Sequence, residues 1–93
     1  MAENVASAIT RKLEQTLAPR HLLVIDESHR HAGHVGAHEG GESHFRIEIV
    51  SVEFDGKTRL ERQRLVYQIL SEELAGPVHA LSVKARTPFE ADN

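Results

Sequence analysis

His44-Phe45-Arg46-Ile47-Glu48-Ile49 alternates polar and apolar side chains without a break. Successive side chains of a strand point to opposite faces. Phe45, Ile47 and Ile49 therefore belong to a buried face, and His44, Arg46 and Glu48 to a wet one. Upstream, His21-Leu22-Leu23-Val24-Ile25-Asp26 is short, apolar and rich in branched residues, which reads as a second strand. Downstream, His79-Ala80-Leu81-Ser82-Val83-Lys84-Ala85 alternates again, with Leu81, Val83 and Ala85 inward. That is the third strand.

Two helices frame these strands. Val5, Ile9, Leu13 and Leu17 recur every four residues, opposite Arg11, Lys12, Glu14 and Gln15. Pro19 ends that helix, because the residue before a proline avoids the helical region. Phe54-Asp55-Gly56-Lys57 reads as a turn. Thr58-Arg59-Leu60-Glu61 then has the spacing of a capping box. Leu65, Val66, Ile69, Leu70 and Leu74 supply the apolar stripe of a second helix. Gly76-Pro77 stops it, with the glycine suited to a left-handed position. Pro88 to Asn93 reads as a polar tail.

The order is thus helix, strand, strand, helix, strand. A strand–helix–strand unit returns the chain parallel. The third strand should run parallel to the second, and the first antiparallel to it. The expected fold is α/β (α+β): a three-stranded mixed sheet with helices on one face. The opposite face, with Arg46, Glu48, Ser82 and Lys84, stays wet. Residues 1–93 are expected to form one domain, with an ordered core of about 3–88 and a mobile tail over 89–93.

Composition narrows the function. The chain has 93 residues, 40% hydrophobic and 27% charged, which is ordinary globular usage. The longest apolar run, Leu22 to Ile25, is far below the roughly 20 residues of a membrane span. Met1-Ala2-Glu3-Asn4 lacks the basic flank of a signal peptide, so a cytoplasmic location is expected. Basic residues number 11 against 14 acidic ones, which argues mildly against nucleic-acid binding. Cysteine is absent. Soft-metal chemistry must then use histidine or borrow sulfur from a partner.

Histidine is the outlier. There are seven, six of them between His21 and His44. The stretch from His29 to Ser43 is 15 residues long and glycine-rich, and connections of that length are often functional. Strand two starts at His44 and strand three begins at His79. Parallel neighbours begin at the same end of a sheet, about 4.8 Å apart. His44, His79 and the connecting histidines His29, His31, His34 and His38 should therefore gather at one rim, where imidazoles could ligate a metal. The other reading leaves them as surface and strand-start residues.

Arg59, Arg62 and Arg64 lie in the first turns of the second helix, and Glu72 and Glu73 near its end. Each such charge, if exposed in an outermost turn, opposes the helix dipole by about 0.3–1 kcal/mol. Either a basic patch for an acidic partner or a set of compensating ion pairs explains the pattern.

Several ordered segments together resemble the BolA family, over about Ile9 to Pro88. They are Asp26-Glu27-Ser28, Glu42-Ser43-His44-Phe45, Ile49-Val50-Ser51 and Phe54 with Gly56. Next come Arg62 and Arg64 with Val66-Tyr67, then Glu72-Glu73-Leu74 and Val78-His79-Ala80-Leu81. The resemblance implies a small domain of order α-β-β-α-(α)-β, related to the class II KH fold. It implies a non-enzymatic partner of monothiol glutaredoxins. In that family a [2Fe–2S] cluster is shared with the glutaredoxin cysteine and with glutathione. The histidine of the Val-His-Ala-Leu segment, here His79, is one ligand. A second comes from the connection between the first two strands, where His31 aligns best and His34 follows. The family usually reads Arg-His-Arg where this chain has Arg62-Gln63-Arg64. The two arginines, with Arg59 and Lys84, form the surface expected to meet glutaredoxin, glutathione or DNA.

The cluster adaptor is thus expected to work as a heterodimer with glutaredoxin, and as a monomer or weak homodimer when free. The competing expectation is a DNA-binding transcriptional regulator of the same family, although Gly56-Lys57-Thr58-Arg59 lacks the second glycine of the KH backbone clamp. A stand-alone zinc or nickel site with Asp26, Glu39 or Glu42 is a third.

Overall fold

The computed structural model describes residues 3–27 and 43–93. The alternating stretch forms the central strand, β2 (His44–Val50), between β1 (His21–Asp26) and β3 (Ala80–Arg86). β1 pairs antiparallel with β2, Leu23 opposite Glu48. β3 pairs parallel, Phe45 opposite Leu81 and Glu48 opposite Lys84. Strand directions, faces and order all match the expectation.

Phe45, Ile47 and Ile49 are buried on the inner face. They pack with Ile9, Leu13 and Leu17 of α1 (Val5–Leu17) and with Val66 of α2 (Arg59–Ile69). Each such side chain contributes about 1.5–3 kcal/mol by leaving water. Asn4 caps α1, its side chain accepting from the Ser7 N–H. At the far end Ala18, the residue before Pro19, turns left-handed at φ 41°. α2 starts on the capping box expected at Thr58: its hydroxyl accepts from the Glu61 N–H, and Glu61 accepts from the Thr58 N–H.

Four details differ from the sequence reading. The second helix is two: α2 ends at Ile69 and a short α3 (Ser71–Ala75) follows a break at Leu70. Glu72 and Glu73 therefore sit in the first turn of α3, where negative charge is favourable, and Lys12 of α1 donates to both. Gly76 is not left-handed, with φ −111°. The left-handed glycine is Gly56, at φ 75° in the turn before α2. Phe54, read only as part of that turn, is wholly buried on a 3-10 turn (Val52–Phe54).

The fourth difference is the C-terminus. In place of a mobile polar tail, Pro88–Ala91 forms a one-turn helix, α4, with proline in its first turn. Thr87 and Glu90 make a second capping box. Arg62 binds Glu90 and Arg20 binds Asp92, tying the segment to the body.

Candidate metal rim and basic groove

The rim is built by three backbone junctions. The Glu27 N–H, just past β1, donates to the His44 carbonyl at 2.7 Å. The His79 N–H donates to the Ser43 carbonyl at 2.7 Å, and the Ala80 N–H to the same oxygen at 3.2 Å. One end of β1 and the starts of β2 and β3 thus meet at one edge of the sheet. Glu27 and Ser43, which bracket the histidine-rich segment, both belong to this edge.

Two histidines are brought together there. The rings of His44 and His79 lie with centroids 6.4 Å apart and planes tilted by 30°. His79 is exposed and His44 half-buried. The Ser43 hydroxyl lies 2.9 Å from His44 Nδ1. Val78, immediately before His79, is buried, and its N–H donates to the Glu73 carbonyl at 2.9 Å. An exposed imidazole is thereby held on a fixed backbone, as an external ligand requires. Sequence reasoning singled out His44 and His79 but not Ser43, whose single carbonyl anchors both His79 and Ala80, the first residue of β3. Its place in the Glu42-Ser43-His44 segment was the only signal.

His31, His34, His29 and His38 lie outside the described residues, as do Glu39 and Glu42. Asp26 stands half-buried at the end of β1, close to the rim. His21 pairs with Val50 at the opposite end of the sheet. Among the described residues no group of three or more histidine, aspartate or glutamate side chains could hold a metal ion. The donor set on view is two imidazoles in a chain without thiols. That suits part of a ligand shell completed from elsewhere.

The four cations expected on a partner surface separate. Arg59, Arg62 and Lys84 line one groove of about 560 Å³, together with Arg46, Glu48 and Gln63. Arg64 lies with Lys57 and Tyr67 on another part of the surface. Five residues turn a helix by about 140°, so Arg59 and Arg64 diverge. Arg62 is committed inside the molecule. Its guanidinium donates to the Lys57 and Ala85 carbonyls and to both oxygens of Glu90. For Arg62 the compensating ion pair, not a free patch, explains a cation near the helix start.

Comparison with known proteins decides the family. Residues 13–90 match the family model described as BolA-like protein. The chain belongs to the BolA family. Among its relatives, BolA-like protein 1 of Mus musculus is 51% identical over 86 residues, covering 92% of this chain and 60% of that protein. The BolA-family chain thus spans about three fifths of the length of the mammalian relatives it matches. Among solved structures, the BolA domain of SufE1 from Arabidopsis thaliana superposes with a TM-score of 0.85 at 43% identity, covering 97% of this chain and 99% of that one. BolA1 of Mus musculus gives a TM-score of 0.81 at 46% identity, covering 98% and 71%. The BolA fold is therefore this chain's fold: a small α+β domain with a three-stranded mixed sheet.

Proposed function

We propose that this BolA-family chain is a non-enzymatic adaptor that binds a monothiol glutaredoxin and co-ligates a [2Fe–2S] cluster held between the two proteins. The observation that carries the reading is the placement of His79. It is exposed, fixed by buried Val78 and by the Ser43 carbonyl, and set at the rim where the histidine-rich segment begins and ends.

The chemistry of the donor set agrees. Such clusters are normally held by four thiolates, and imidazoles can replace two of them on one iron. A chain without cysteine can offer only the imidazole half. His79 is one ligand in this reading, and His31, or failing it His34, the other. The glutaredoxin cysteine and glutathione supply sulfur. A ligating imidazole must be neutral, so the assembly loses affinity as pH falls. The cluster supplies electron storage and a transferable iron–sulfur unit. The chain's own part is to present imidazoles, hold their backbone and dock the partner. The role is iron–sulfur cluster handling or iron regulation.

The DNA-binding alternative has less support. The Gly56–Thr58 turn is spent on starting α2, and Arg62 is occupied internally.

The test is anaerobic co-purification with a monothiol glutaredoxin, followed by iron and sulfide analysis, visible absorption and circular dichroism. Iron and sulfide in equal amounts are expected, with a spectrum altered by His79→Ala. A spectrum of the mixed complex left unchanged by both His79→Ala and His31→Ala/His34→Ala would refute the ligand assignment.

A further inference from the structure

The groove beside β3 is separate from the histidine rim in its chemistry. It runs along the edge strand β3, where outer-face side chains of β2 and β3 meet the first turns of α2 around the strand's free edge, with Val83 and Ala85 on its inner side. Its floor carries Arg46 and Glu48 of β2 and Ser82 and Lys84 of β3, and its wall Arg59 and Gln63. Its volume, about 560 Å³, is within the range of ligand-sized clefts.

The charges are not all alike. Arg62 is neutralised by Glu90 at 2.6 Å. Arg46 is loosely engaged, 3.8 Å from Glu27 and 4.0 Å from Glu48. Arg59 and Lys84 enter none of the ion pairs among the described residues. Both are exposed, and Arg59 stands in the first turn of α2, where the helix dipole disfavours a cation. Local stability does not select that placement. A bound anion would offset it.

Spacing and charge density choose the anion. Arg46 faces Ser82 and Glu48 faces Lys84 across the sheet, so Arg46 and Lys84 are diagonal neighbours. A strand spacing of about 4.8 Å and a rise of about 3.3 Å per residue put their Cα atoms roughly 8 Å apart. Alternate residues of an extended peptide repeat at about 6.6 Å, and two long cationic side chains absorb the difference. Duplex DNA instead carries one charge per about 1.7 Å of its axis. Glu48, set between Arg46 and Lys84, repels so dense an array but leaves room for separate carboxylates.

We propose that this groove seats an extended acidic segment of a partner protein, with carboxylates two residues apart meeting Arg46 and Lys84, and a further one meeting Arg59. The site acts without the cluster, so its failure leaves the histidine reading intact.

The test uses the cluster-free chain and a capped synthetic heptapeptide with aspartate at its second, fourth and sixth positions and valine and glycine elsewhere. Titration followed by amide NMR is expected to move Gln63, Ser82, Val83 and Lys84, and to weaken steeply with added salt. Arg59→Glu/Lys84→Glu is expected to lower the affinity at least about tenfold, since both sites are exposed and reversal adds repulsion to lost attraction. A lysine-for-aspartate peptide should not bind. Absence of shifts at these amides up to millimolar peptide would overturn the proposal. So would peptide binding untouched by the double reversal, or a DNA duplex that binds the same residues more tightly than the peptide.

Discussion

Arg62 on α2 and Glu90 on α4 form a two-pronged contact, Nη1 to Oε1 at 2.6 Å and Nη2 to Oε2 at 3.2 Å. The same guanidinium holds the Ala85 carbonyl at 3.2 Å. One side chain thus joins the second helix, the edge strand and the C-terminal turn. Arg62 holds the Glu90 carboxyl at about 2, with help from the Thr87 N–H. A carboxyl with a lowered folded pKa stabilises above its unfolded value of about 4.5, and that contribution fades as pH falls toward 2. α4 is therefore expected to detach in acid before the core unfolds. The protection of the 89–92 amides against hydrogen exchange, taken relative to their intrinsic rates at each pH, should fall between about pH 4.5 and 2, while Ile47 and Ile49 stay protected. Glu90→Gln should show the lowered protection already at neutral pH.

Phe54 is the second prediction. It is a wholly buried aromatic, carried by a single 3-10 turn and packed with Ile9, Leu13 and Val66 in the core. Phe54→Ala removes the ring and leaves a cavity. The expected loss is about 3–5 kcal/mol, read from urea unfolding. Val52, two residues earlier and 60% exposed, should tolerate alanine within about 0.5 kcal/mol.

What the chain reveals before folding depends on how local each signal is. The period-two run at Phe45, Ile47 and Ile49 carries its own burial pattern, so the sheet and its directions were legible. Phe54 has no periodic neighbour in the turn Phe54–Lys57, so its burial left no trace. The break at Leu70 falls inside a continuous apolar stripe, and periodicity ran straight through it. Arg62 finds Glu90 28 residues away, a separation at which no local rule applies. The histidine rim lies between these cases. Strand direction alone brought His44 and His79 together, while the Ser43 carbonyl that pins them is a tertiary contact.

His79 separates function from stability. Its side chain is exposed, and the backbone N–H that binds Ser43 survives truncation to alanine. His79→Ala should therefore change unfolding free energy by less than about 0.5 kcal/mol. Val78→Ala should cost about 1–3 kcal/mol, because that neighbour is buried. If the proposed ligand role holds, the exposed residue matters to the cluster spectrum and the buried one to the midpoint of unfolding. Measuring both quantities on both variants tells a ligand from a structural residue.

Lys12 and Glu73 join α1 to α3 with little water access, their side chains 18% and 10% exposed and 2.7 Å apart. The hydrogen bond that Lys12 donates to the Glu73 carboxylate raises the Lys12 pKa. A cation with a raised folded pKa stabilises below its unfolded value near 10.5, and the contribution disappears as pH climbs through the folded one. Alkaline unfolding should accordingly begin with α1 parting from α3. Removing one partner strands the other charge in a half-dry site, so Lys12→Met and Glu73→Leu should each lower the melting temperature. Their combination removes both charges and replaces them with apolar contact, so Lys12→Met/Glu73→Leu should recover most of the loss. A double variant that melts at the sum of the two single losses would show that the pair is not coupled.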